Sequence, residues 1–257
     1  MKYTSLQQRE IFHFLFLERL LRCSDPGLYI LKGGVNLRFF FKSTRYSEDM
    51  DIDVIAGTVG TLKKNGYKIL AEPSLKRALQ TFGIEEIIPN DPAKSKQTET
   101  TQRFRVQLIS TAGERLPTKV EFSRRPAKSK SAPVQDLVDP ELARRYQRPS
   151  FHAQHYRGEI AVLQKIEALA GRTETQARDV FDLDLLYRAG FAQSEMLKLS
   201  CPAELRKRAK TALENLSFNH FQGQVLEFLE PDTRSSDESP LVLQQMIEQI
   251  AELLDHE

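Results

Sequence analysis

The spacing of apolar residues along the first part of the chain predicts a helix, a strand and a second helix. Residues 5–22 carry apolar side chains at helical spacing, and a polar Ser-Asp-Pro-Gly turn follows at 24–27. Residues 28–31 form a short apolar run that is typical of a buried strand, and Lys-Gly-Gly at 32–34 comes directly after it. Residues 35–41 then resemble the first turns of a helix. The stretch therefore predicts a strand, a glycine turn and a helix in that order.

Strand-like patterns return further along the chain. Residues 49–55 alternate acidic and apolar side chains, which is the pattern of a half-buried strand. Residues 60–84 have a helical pattern that breaks near Pro73, and residues 104–110 and 118–122 predict a loose hairpin. Two segments are interpreted as loops, the polar residues 90–101 and the basic residues 123–135.

The second half of the chain has a different pattern. From about residue 159 onward the apolar spacing is helical, with a polar break at 232–240. We therefore predict an α/β (α+β) fold, in which a small mixed sheet with flanking helices precedes a helical C-terminal domain. The expected domains are residues 1–150 and residues 151–257.

The composition adds only broad limits. The 257 residues carry a net charge of +2, with 40% hydrophobic and 28% charged residues, as in ordinary globular proteins. The two cysteines, Cys23 and Cys201, are far apart and predict reduced thiols in a cytoplasmic protein. Charged residues interrupt the apolar N-terminal stretch, so neither a signal peptide nor a membrane span is expected.

The acidic strand is the first candidate site. Asp49, Asp51 and Asp53 stand two positions apart, so a strand would place all three carboxylates on one face. These carboxylates repel one another unless a cation neutralises them, and Mg²⁺ prefers such oxygen ligands. The alternative is an exposed edge strand whose acids prevent aggregation.

The glycine turn adds a second signal. Gly33 and Gly34 at a strand-to-helix junction would leave backbone N–H groups accessible to phosphate, with Lys32 beside them. A Gly-Gly pair alone usually marks a tight turn. Because an acidic strand begins fifteen residues after Gly34, the two elements together favour a triphosphate site with metals bridging it.

Two motifs carry a family resemblance. Lys-Gly-Gly at 32–34 followed by Arg-x-Ser-x-Asp-x-Asp at 45–51 resembles the core of the nucleotidyltransferase superfamily, and most closely its AbiEii/AbiGii toxin group. The gap between glycines and aspartates is slightly longer than in many superfamily members. Lys-x-x-Ala-Leu at 165–169 and Arg-Asp-x-x-Asp-Leu at 178–183 resemble the helical motif of the group. The resemblance spans roughly residues 28–188.

The resemblance implies a nucleotidyltransferase-like fold and assigns roles to particular residues. The implied catalytic residues are Asp49, Asp51, Glu121, Lys165 and Asp179. The implied nucleotide-binding residues are Lys32, Gly33, Gly34, Arg45, Ser47, Arg178 and Asp182. The implied metal ligands are Asp49, Asp51 and Glu121, with Mg²⁺, or Mn²⁺ in its place, as the metal. The helical domain is expected to contribute Lys165 and Asp179 to the cleft.

Several of these roles have alternatives. Glu121 is the expected third acid, from an adjacent strand; Asp53 is its rival, and Glu121 would then be an ordinary surface residue. Asp179 is expected to orient Lys165 toward the triphosphate, and the alternative is a structural salt bridge between two helices. Arg45 and Ser47 would bind phosphate, orient Asp49 or cap the turn before the strand.

The implied activity is transfer of a nucleotide from an NTP, with the 3′ end of tRNA as the expected acceptor. Three basic clusters suit an RNA backbone: Arg124, Arg125, Lys128 and Lys130; Arg144, Arg145 and Arg148; and residues 206–210. The alternatives are transfer to a protein or a small molecule, and a non-catalytic module that binds RNA or protein. An antitoxin encoded nearby is the expected partner, and no membrane is expected.

Overall fold

The computed structural model describes residues 3–91, 97–124 and 133–255. The chain divides into two compact units. The sheet unit comprises Met1–Phe40 and Tyr46–Tyr156, and the helical unit comprises Phe41–Arg45 and Arg157–Glu257. The short segment Phe41–Arg45 therefore belongs with the helices, although it lies between two elements of the sheet unit in the sequence.

The sheet unit contains seven strands and five α-helices among its described residues. The strands are β1 Tyr29–Lys32, β2 Asp49–Val54, β3 Ile84–Pro89, β4 Thr101–Ser110, β5 Arg115–Ser123, β6 Val134–Leu137 and β7 His152–His155. The helices are α1 Ser5–Cys23, α2 Gly33–Phe40, α3 Val59–Leu70, α4 Pro73–Gln80 and α5 Pro140–Arg145. The strands form one mixed sheet in the order β3-β4-β5-β2-β1-β7-β6.

Local sequence explains where these elements begin and which face they bury. Thr4 caps α1 through a reciprocal capping box with Gln7, which satisfies N–H groups at the helix start. In β2, Met50 and Ile52 are fully buried, whereas the acidic residues between them are half-buried. The alternation of acidic and apolar residues thus gives β2 one apolar face that is buried in the core and one polar face.

The pairing of β2 positions the acidic residues. β2 runs antiparallel to β1, with Lys32 opposite Asp51, and parallel to β5, with Glu121 opposite Asp51. β4 continues the sheet beyond β5, with Arg103 opposite Glu121. One row of the polar face therefore reads Lys32, Asp51, Glu121, Arg103 across four strands.

The helical unit contains the rest of the elements. Its α-helices are α6 Gly158–Gly171, α7 Ala177–Arg188, α8 Ser194–Ser200, α9 Ala203–Leu213, α10 Phe218–Gln224, α11 Pro231–Asp237 and α12 Pro240–Asp255. α6 packs against α7 and α9, and α12 packs against α9 and α7. The helices that the apolar spacing predicted from about residue 159 onward are therefore present, and they pack against one another in this bundle.

Most sequence-predicted elements are confirmed, with some corrections. The strand predicted at residues 28–31 begins one position later, and the hairpin is formed by β4 and β5. The strands β3, β6 and β7 were missed, because Ile84–Pro89 continues an apparently helical stretch and the other two lack apolar alternation. α11 overlaps the predicted polar break at 232–240.

The predicted loops fall partly outside the described residues. These include Arg125, Lys128 and Lys130 of the first basic cluster. Among the described residues, no helix is both long and apolar enough to cross a bilayer.

Candidate active site

The acidic residues of β2 face away from the core with the predicted third acid beside them. We call Asp49, Asp51, Asp53 and Glu121 the acidic face. Because Glu121 stands opposite Asp51 on a neighbouring strand, their Cα atoms are separated by roughly 4.8 Å, the usual strand spacing. The register therefore brings Glu121, 70 positions away in the sequence, next to the aspartates.

Asp53, the rival third acid, has other partners. Lys32 forms a salt bridge with one carboxylate oxygen of Asp53, and the Tyr156 hydroxyl donates to the other at 2.8 Å. Burial and the contact with Asp53 raise the pKa of Tyr156, so this hydroxyl stays a donor. Asp53 is thus occupied by a lysine and a tyrosine, while Glu121 adjoins Asp51.

Charge is crowded around Asp51. Burial raises the pKa of the Asp51 carboxyl; Lys119 and Lys32 lower it, and Glu121 and Asp49 raise it further. The net effect is a raised pKa, which means that the fold disfavours the ionised carboxylate. A cation at this position would remove that penalty.

The carboxylates match a divalent metal in chemistry but are paired with side chains. Lys119 Nζ lies 2.9 Å from Asp49 Oδ2, and Arg103 Nε lies 2.6 Å from Glu121 Oε2. Within the described part of the chain, no three His, Cys, Asp or Glu side chains are gathered so as to hold a metal ion as they stand. Carboxylate oxygens are the ligands that Mg²⁺ prefers, so the residues fit this ion by donor type. Lys119 and Arg103 each contact one oxygen of their carboxylate, so a bound ion would use the other oxygen or displace the cation.

Gly33 lies directly against Asp51. Its φ of +68° is in the left-handed region, and a Cβ atom built there would lie 3.1 Å from Asp51 Oδ2. Glycine is therefore required at this position both by the backbone and by the close approach of the carboxylate. Since α2 begins at Gly33, the N–H groups of the first helical turn are placed beside the acidic face.

The other predicted residues of the sheet unit have local roles. Lys32 is held by Asp53, as described above. Ser47 donates its hydroxyl hydrogen to the backbone carbonyl of Asp49 at 2.8 Å, which supports the alternative that it caps the turn before β2.

A second group of charged side chains lies within the helical unit. This ion cluster consists of Arg45, Lys165, Arg172, Asp179 and Asp182. Lys165 Nζ lies 3.0 Å from Asp179 Oδ1 and 2.5 Å from Asp182 Oδ2, so the predicted Lys165–Asp179 pair is present. Arg172 Nε contacts Asp179 at 2.8 Å, and Arg45 contacts both carboxylate oxygens of Asp182.

The two carboxylates of the ion cluster are fully buried. Burial raises the pKa of Asp182, but the charges of Arg45 and Lys165 outweigh it, and the net pKa is lowered. Three cations surround two anions, which leaves an excess of one positive charge in the cluster. Arg178, on the same helix, is half-buried and has no charged or hydrogen-bonding partner among the described residues.

Comparison with known families identifies the family of the chain that carries these residues. The profile of the family described as "Nucleotidyl transferase AbiEii toxin, Type IV TA system" matches residues 15–256. The chain belongs to the AbiEii toxin family. It is therefore a nucleotidyltransferase of the toxin–antitoxin type, with an NTP as substrate and an antitoxin as the implied partner.

Solved structures agree with the fold of the AbiEii family. The chain is similar to JHP933 from Helicobacter pylori, with a TM-score of 0.55, 18% identity, and 99% of this chain and 95% of that chain covered. It is also similar to MenT4, a nucleotidyltransferase toxin from Mycobacterium tuberculosis, with a TM-score of 0.55, 14% identity, and 97% and 84% covered. Curated protein sequences give no significant match.

Several residues that contact the acidic face were missed in the sequence. Lys119, Arg103 and Tyr156 each contact an acid of the acidic face. The alternation along β5 could have revealed Lys119, because it shares the face of Glu121. Arg103 and Tyr156 are on other elements, so no local sequence signal identifies them.

Proposed function

We propose that the chain transfers a nucleotide from an NTP to the 3′-terminal hydroxyl of tRNA, in a reaction that requires a divalent metal. The observation that carries the proposal is the placement of Asp51 on β2, between Gly33, where α2 follows β1, and Glu121 on β5. This arrangement sets a phosphate-binding helix start against a carboxylate row, which is what transfer from a triphosphate needs.

The carboxylates and the glycine turn would have different tasks. Asp49, Asp51 and Glu121 would hold the metal, which when bound supplies charge stabilisation and activates the acceptor hydroxyl. The N–H groups of Gly33 and Gly34 would hold phosphate oxygens at the start of α2. The acceptor oxygen bonds to the α-phosphorus, pyrophosphate leaves, and the hydroxyl proton passes to water.

The ion cluster would supply positive charge for the phosphates. Asp179 and Asp182 hold Lys165 from two sides, so its ammonium group is fixed in position. Arg178 is available as a second cation. Arg45 stands four positions before Asp49 in the sequence and is itself held by Asp182. We propose that Lys165 and Arg178 bind phosphate in the reaction, because most catalysis of phosphoryl transfer is positioning and charge stabilisation.

The case for an RNA acceptor is separate and rests on positive charge. The second basic cluster is engaged elsewhere: Arg144 pairs with Glu141, Arg145 donates to Tyr46 and Arg148 pairs with Glu18. Lys119 and Arg103 are also paired with acids, but together with Arg105 they lie on the polar face of the sheet, beside the acidic face. These cations support an acceptor with a phosphate backbone.

The decisive experiment supplies each α-labelled NTP to the protein with total tRNA, a protein extract or small hydroxyl compounds. We expect label on tRNA with Mg²⁺ and none with EDTA. The Asp49→Asn variant should be inactive, whereas Glu85→Gln, which changes an exposed acid on β3, should retain activity. Label on protein or a small molecule alone would refute the tRNA acceptor, and no transfer under any condition would favour a non-catalytic module.

A further inference from the structure

A cleft of about 490 Å³ opens on the polar face of the sheet unit beside Asp49. Asp49 and Lys119 line one end, and the cleft extends across β4 and β3 past Arg105, Gln107, Ile88 and Asn90. We call it the side cleft. Its volume falls within the usual range for small-molecule pockets, so one nucleotide fits.

The lining of the side cleft combines positive, amide and apolar groups. The guanidinium group of Arg105 is exposed and has no side-chain partner among the residues that the structure describes. Gln107 stands opposite Ile88 in the strand register, and Ile88 is 43% exposed. A free cation next to an apolar surface suits a phosphate joined to a base, as in single-stranded nucleic acid.

The position of the side cleft indicates which nucleotide it would hold. Gly33 approaches Asp51 from the β1 side of β2, whereas the cleft lies on the β5 side. In phosphoryl transfer the attacking and leaving oxygens lie on opposite sides of the phosphorus. If the leaving pyrophosphate is held near Gly33, the attacking hydroxyl arrives from the side of β5.

We propose that the side cleft binds the 3′-terminal nucleotide of the RNA acceptor, which carries the attacking hydroxyl. Arg105 binds the phosphate on the 5′ side of that nucleotide, and Ile88 packs against its base. Two strand spacings separate Arg105 from Asp49, about 10 Å, which is the order of one nucleotide with its phosphate. This inference rests on the proposed function.

Arg105→Gln tests the phosphate contact, with Arg77→Gln on α4 as the matched control. Both arginines are exposed and belong to the sheet unit, but Arg77 is not among the residues that line the cleft. We expect Arg105→Gln to raise KM for total tRNA about tenfold and to leave KM for the NTP unchanged. The salt dependence of tRNA binding should lose about one unit of slope, because one phosphate contact is removed.

Gln107→Glu tests the cleft independently by adding a negative charge, with exposed Gln80→Glu on α4 as its control. We expect a similar rise in KM for tRNA in this variant only. If both cleft variants match their controls, the side cleft is not the acceptor site. A rise in KM for the NTP instead would assign the cleft to the incoming nucleotide and overturn the proposal. A wild-type protein that labels no RNA would refute the proposed function itself, and the two failures are therefore distinguishable.

Discussion

Replacing Lys165 by methionine tests whether the ion cluster stabilises the fold, serves catalysis or does both. Methionine keeps a long side chain in place but removes the ammonium group that contacts Asp179 and Asp182. Both carboxylates are fully buried, and the lysine side chain is only 12% exposed. Solvent therefore compensates little for the lost contacts.

The size of the effect follows from the partners that remain. Breaking a buried ion pair by removing one member costs about 3–5 kcal/mol. Asp182 keeps its contacts with Arg45, and Asp179 keeps Arg172, so we expect the lower end, about 3 kcal/mol in the free energy of unfolding. Lys207→Met on α9 makes the same chemical change at an exposed lysine and should stay within about 0.5 kcal/mol of wild type.

The variant should also change the dependence of stability on pH. Because the pKa of Asp182 is lowered in the fold, its contribution to stability is present above the ordinary carboxyl pKa and is lost as pH falls through the folded value. Without the charge of Lys165, only Arg45 opposes the effect of burial, so the pKa of Asp182 in the folded variant should be higher than in wild type. Acid unfolding of Lys165→Met should therefore begin at a higher pH than that of wild type.

The assay combines denaturant unfolding with turnover per folded molecule. We expect turnover to fall about 100-fold or more, as when a group that stabilises developing charge is removed. Lys165→Arg is a useful companion, because a planar guanidinium does not replace a compact ammonium at a phosphate. A loss of stability under 1 kcal/mol would refute the ion-pair reasoning, and unchanged turnover per folded molecule would refute the catalytic role.

Three further changes test the acidic face. Asp51→Asn should abolish transfer. The free energy of unfolding at pH 7 should stay equal or rise slightly, because the fold disfavours the ionised carboxylate. A clear loss of stability in denaturant unfolding would contradict this reasoning. Glu121→Gln should lower the rate of transfer by orders of magnitude. Asp53→Asn should lower the rate little, because the amide oxygen can still accept a hydrogen bond from Tyr156. The reverse order in single-turnover rates would exchange the roles of the two residues. Gly33→Ala should cost about 2 kcal/mol in unfolding free energy and reduce transfer, since it strains a left-handed backbone and crowds Asp51. Gly171→Ala is the control, because a Cβ atom built at Gly171 has no neighbour within 4 Å. Equal losses of stability and activity in the two variants would refute the argument from the close approach of Gly33 to Asp51.

Local sequence was sufficient to predict the elements that carry the site. The alternation at residues 49–55 determines that three aspartates share a face, because successive strand side chains point to opposite sides. The helical spacing after residue 159 determines a bundle, and the two motifs identify the family that the profile then shows. These signals are local, since each depends on residues within one or two elements.

The contacts between charged side chains could be learned only from the tertiary structure. Whether Glu121 or Asp53 adjoins Asp51 depends on the register of β2 with β5, two strands that are not consecutive in the sequence. Lys32, for which nucleotide binding stays a prediction, pairs with Asp53 across the β1–β2 register, and Arg45 pairs with Asp182 inside the helical unit. Such pairings have no local signature, because the energy that fixes them comes from burying apolar side chains elsewhere in each unit.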